Sequence, residues 1–151
     1  MQVKELKIGS LLGVFEEAPY GGTEMVQLIS VAGMKFEYDK EDKVFFVYDY
    51  KTDEWVNIID LKPIPLTGEW LVKFGFEWNE PEDDDYSLGF TLDIGDIYYL
   101  SITPTDRTFY NIFERADETT PAYLPNKKLE YVHQLQNLYL ALIGKELEYK
   151  K

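Results

Sequence analysis

The run Val44-Phe45-Phe46-Val47-Tyr48-Asp49-Tyr50 is built from β-branched and aromatic residues and lies between two charged turns, Asp39-Lys40-Glu41-Asp42 and Lys51-Thr52-Asp53. That composition between turn clusters reads as a β-strand. The same pattern recurs on either side. Residues 25–31 and 34–38 read as two strands broken at Gly33, residues 54–61 as another, and Glu5-Leu6-Lys7-Ile8-Gly9 as the first. Five short strands at close spacing predict a small antiparallel barrel of the SH3-like kind, with Ala18-Pro19-Tyr20-Gly21-Gly22 as an exposed loop. Closure of such a barrel would remove most of its open edge.

Lys62-Pro63-Ile64-Pro65 marks a change of regime, because two prolines remove ladder donors and exclude a central strand. The expected organisation is therefore a β-barrel-like subdomain over residues 1–61, a connector over 62–66 and an α+β subdomain over 67–151. Thr67 is placed to cap a short helix over 68–74, with Leu66 and Leu71 as a hydrophobic staple and Gly75 just past its end. Gly68 is a poor first-turn residue, so packing of Trp70, Leu71 and Phe74 must hold that helix. Strands over about 86–93, 97–103 and 108–114 follow as a three-stranded meander, and a second helix runs over about 127–143, with Asn126 as its cap. In that helix Tyr131, Val132, Leu135, Leu138, Tyr139, Leu142 and Ile143 fall on one face. His133, Gln134 and Asn137 lie opposite, on the face expected to be wet. The predicted fold class is α+β, with the helix covering the apolar face of the sheet.

The chain of 151 residues has no cysteine, 15 Lys+Arg against 28 Asp+Glu, and a formal charge of −13. Lack of cysteine removes thiol catalysis and Cys-based zinc sites. The charge argues against direct nucleic-acid binding, which needs clustered cations on the phosphate backbone. No apolar segment approaches the ~20 residues that span a bilayer, and no signal peptide opens the chain, so a cytoplasmic protein without membrane contact is expected.

Little in the chain points to chemistry. Glu80, Glu82, Asp83, Asp84 and Asp85 form the densest acidic run, inside a stretch over 74–106 that holds nine acids and no base. Such a run could bind Ca²⁺, but the spacing and glycine of an EF-hand loop are missing, and a solvated hairpin connection is the simpler reading. His133 is the only histidine and has no partner at helical spacing for a zinc site. No serine lies in a nucleophile elbow and no glycine-rich phosphate loop exists. Neither a catalytic residue, a metal nor a cofactor is expected. Aromatics are the remaining excess: neighbours such as Phe45-Phe46 and Tyr98-Tyr99 must point to opposite faces of their strands. Either some rings are exposed at an interface, or both sheet faces are covered.

Three blocks, Glu5-Leu6-Lys7-Ile8-Gly9-Ser10, the fifteen residues from Lys62 to Phe76 (KPIPLTGEWLVKFGF), and the twelve from Tyr131 to Leu142 (YVHQLQNLYLAL), are similar to the signature of a family of uncharacterised small bacterial proteins often carried by phages and prophages. The chain departs from that pattern at Gly68 and Ile143, and the resemblance implies no activity. It leaves His133, Gln134 and Asn137 as polar residues within a matching block, expected to meet a protein partner or a second copy. Two readings follow: a non-enzymatic accessory protein acting by protein-protein binding, or an acidic decoy that mimics nucleic acid and occupies a host nuclease or defence protein.

Overall fold

The structure, a computed structural model, describes residues 6–7, 9–39, 42–79, 89–103, 109–114, 117–122 and 128–150. The chain is an α+β protein dominated by antiparallel strands, and it divides into two compact units. Met1–Ile64 and Tyr131–Asn137 make the first; Pro65–Glu130 and Leu138–Lys151 make the second.

In the first unit the strands are β1 (Leu11–Glu17), β2 (Thr23–Asp39), β3 (Asp42–Asp49), β4 (Glu54–Asn57) and β5 (Lys62–Pro63), in the order β4-β3-β2-β1-β5. β2 organises the sheet. Its first half pairs β1 and its second half pairs β3, with a register shift between Val31 and Gly33. Gly33 thus marks a bulge within one long strand, not the expected break between two, because an extra residue is absorbed locally while the ladder continues. The sheet ends at β4 and β5 without closing into a barrel. The first strand is not the expected one: Leu6 and Lys7 lie in no strand, Gly9 lies in a turn, and β1 instead covers Leu11–Glu17, to which the sequence reading assigns no strand. Ser10 explains the shift, since its hydroxyl accepts from Lys7 N and its carbonyl from Val31 N, which bends the chain ahead of β1. β5 carries Pro63 at the sheet edge, where a missing donor costs nothing. Leu6, Leu12, Ile29, Val31, Val47 and Leu61 form the core, with Val14, Val56 and Ile58 against it.

The second unit holds α1 (Gly68–Lys73) and the strands β6 (Glu77–Asn79), β7 (Gly89–Ile94), β8 (Tyr98–Thr103), β9 (Phe109–Glu114) and β10 (Asp117–Ala122), ordered β10-β9-β8-β7-β6. The expected meander is its centre, but two edge strands extend it to five. Both were illegible locally: β6 is three residues long, and β10 contains Pro121, which an edge tolerates. α1 ends in a Schellman motif. Gly75 has φ of +87°, its N–H bonds to Val72 O, and Phe76 N–H bonds to Leu71 O. Thr67 has the extended backbone of a cap, but its side chain caps nothing. Gly68 has a packing reason, because a Cβ there would lie 3.0 Å from Phe90 Cζ.

α2 (Val132–Ile143) begins five residues later than expected. Preceding residues are held extended: Leu66 N donates to Glu130 O, and Val132 N to Ile64 O. The expected cap Asn126 lies outside the described residues. Beyond Gly144, Leu147 is buried, the Tyr149 ring meets Trp70 and Phe74, and Lys150 N donates to Lys73 O.

Candidate interaction surface

Strand register assigns each side chain of β2, β3 and β4 to a face, since directly paired residues point the same way. Met34, Val47 and Val56 pair on one side, the side that carries the core. Lys35, Phe46 and Asn57 pair on the other, as do Gly33, Tyr48 and Trp55. Phe45 and Phe46 therefore do point to opposite faces. Phe45 meets Phe36 on the core side, with ring centroids 6.2 Å apart.

On the outer face Trp55 is the centre. Its ring lies 5.3 Å from Tyr48, and its Cη2 is 3.6 Å from where a Gly33 Cβ would stand. An aromatic ring laid over a cross-strand glycine replaces the packing that the glycine lacks. Even so, Trp55 remains 44% exposed. Lys35 Nζ sits 4.6 Å from the Trp55 ring centroid and 5.3 Å from that of Phe46, and it pairs with Glu37 Oε1 at 2.7 Å. Cation over ring, with a carboxylate beside it, is a favourable arrangement even at the surface.

The β3–β4 turn shapes the end of this face. Asp49 is fully buried; its Oδ1 accepts from Lys51 N and its Oδ2 from Thr52 Oγ1. Asp53 follows with φ of +58°, a left-handed conformation that aspartate tolerates. Its Oδ1 accepts the hydroxyl proton of Tyr48. That hydrogen bond is the largest cause of a raised Tyr48 pKa, followed by desolvation and the charge of Asp53.

The residues expected to meet a partner lie differently. His133 is 1% exposed and its ring stacks on Tyr131, with centroids 5.8 Å apart and planes 7° apart. The expected wet face is thus closed at His133, against which the Tyr131 ring lies nearly parallel. Gln134 and Asn137 are half-buried. Gln134 Oε1 accepts from Tyr131 N, the reciprocal contact of a helix start. Gln136, in the same block, carries no sequence signal for its role: its Oε1 accepts from Leu11 N and its Nε2 donates to Gly9 O, so one amide completes the backbone pairing at the head of β1. The acidic run Glu80, Glu82, Asp83, Asp84 and Asp85 lies outside the described residues. Among the described residues no group of His, Asp and Glu gathers to hold a metal. No helix among them is long and apolar enough to cross a membrane.

The aromatic excess of residues 44–50 is plain in the sequence; that Gly33, Lys35, Glu37 and Trp55 share a face with Phe46 and Tyr48, with Asp53 at its end, is not. The signal was present as alternation, Gly33-x-Lys35-x-Glu37 facing Phe46-x-Tyr48, and it needed the register to be read. No protein-family model, no curated protein and no solved structure matches the chain.

Proposed function

We propose that this protein acts by binding another protein through the outer face of β2, β3 and β4. One observation carries the reading: Phe46, Tyr48 and Trp55 crowd the sheet face opposite the core, and Trp55 keeps almost half its surface in water. Tryptophan and tyrosine on a rigid, preformed sheet face are the residues that anchor protein interfaces. The protein is in this reading a non-enzymatic accessory protein of the cytoplasm, of phage or prophage descent. Its first unit is an opened variant of an SH3-like arrangement, a view supported by the long β2 that pairs β1 with one half and β3 with the other.

The test is capture from host lysate with wild-type protein, Trp55→Ala and Tyr48→Ala as baits, at low and high salt. Capture that persists in high salt and falls at least tenfold with Trp55→Ala, while the melting temperature moves little, is the expected result. Capture lost with salt and indifferent to Trp55 would favour the acidic decoy instead, because screening weakens charge attraction and spares aromatic docking.

A further inference from the structure

The outer face of β2–β4 is a surface on which a cation already rests. The Lys35 ammonium lies over Trp55 and Phe46 and is neutralised by Glu37 within the same face. With that pair closed, the charge left at the turn end is negative. Asp53 is exposed and anchored by the Tyr48 hydroxyl, whereas Glu54 pairs with Asp49 and belongs to the other side of the sheet. Trp55 packs on Tyr48, the residue whose hydroxyl holds Asp53, tilted 43° to its ring and open to solvent.

Resting on the protein-binding reading above, we propose that this face receives an arginine side chain of the partner, its guanidinium stacked on Trp55 and its donors turned toward Asp53. Arginine fits better than lysine. Its planar, weakly hydrated head stacks on a ring while its forked N–H groups meet a carboxylate, which a compact, strongly hydrated ammonium does less well. The Asp53 carboxylate is held in place by its backbone and by Tyr48, so little ordering is needed on binding. A formal charge of −13 attracts such a partner over long range and repels a second copy of the chain.

The experiment titrates two blocked peptides, Ser-Arg-Gly-Ser-Arg-Gly-Ser and its lysine counterpart, into isotopically labelled full-length protein, followed by NMR. Wild type, Trp55→Phe and Asp53→Asn are compared. Phenylalanine keeps an aromatic ring at this strand position, and asparagine keeps the left-handed turn and an acceptor for Tyr48; a melting temperature near that of wild type checks that each variant is folded. The arginine peptide is expected to shift Lys35, Tyr48, Asp53 and the Trp55 indole N–H and to bind at least threefold more tightly than the lysine peptide. Trp55→Phe should weaken it at least threefold, and Asp53→Asn should erase the preference for arginine. Equal affinity for the two peptides, or arginine binding untouched by both substitutions, overturns the assignment. If the peptides fail while lysate capture still depends on Trp55, the arginine assignment falls and the protein-binding reading stands.

Discussion

Tyr48 and His133 show how much one neighbour changes a side chain. Tyr48 donates to Asp53, and the phenolate that would form on deprotonation loses that bond and faces a carboxylate. Its folded pKa lies above the usual 10, so the contribution to stability is present below pH 10 and is lost as pH rises through the higher folded value. With ring-labelled tyrosine, the Tyr48 resonance should titrate above the ordinary tyrosine value, and Asp53→Ala should bring it back down. A Tyr48 that titrates at the ordinary tyrosine value in the native protein would contradict the hydrogen bond. His133, buried against Tyr131, is a packing residue. Its replacement by alanine leaves a void and should cost about 2–3 kcal/mol in urea unfolding. A melting curve unchanged by His133→Ala would return that residue to the surface where its helical position alone had put it.

The helices of this protein are short, and neighbours hold them. α1 has six residues, too few to persist by propensity, and its start at Gly68 is adverse. Trp70 and Phe74 find their partner in Tyr149, and Lys73 O accepts from Lys150 N, so the residues after Gly144 are part of this packing. Leu147→Ala should therefore destabilise the second unit by about 2–3 kcal/mol, although its segment has no regular structure. Protection of the α1 amides from hydrogen exchange would fall with it; unchanged protection would show the tail to be dispensable. The C-terminal cap of α1 was readable, since Gly75 and Phe76 form the motif expected there. At the other end Thr67 occupies the cap without bonding, because a hydroxyl must also find the right rotamer.

At the scale of the whole molecule, the first unit is discontinuous in sequence. It includes Tyr131–Asn137, in which Val132 and Leu135 are fully buried and Gln136 bonds to Gly9 and Leu11. A fragment of residues 1–66 lacks all of these. It should give a collapsed, poorly dispersed amide spectrum, whereas a well-dispersed spectrum from the fragment would show the sheet to be self-sufficient. Charge acts at this scale too: an excess of 13 acids favours fast encounter with basic partners, and that advantage declines with salt.

Local pattern was enough for the α+β class, the strand nature of residues 44–50, the central meander and the end of α1, because each depends on side chains a few residues apart; of the expected apolar stripe of α2 only Val132 and Leu135 are buried, and Leu142 is exposed. The aromatic excess was equally plain. What the tertiary structure alone decided was long in range: that β2 continues through Gly33, that the first sheet stays open, that edge strands β6 and β10 join the second, and that His133 is buried. It also decided that Trp55 faces water beside Gly33, Lys35 and Asp53. Those outcomes depend on register and on which surfaces meet, and in a strand a shift of one residue exchanges the two faces. Composition therefore told which residues this surface would use, and pairing told which of them share it.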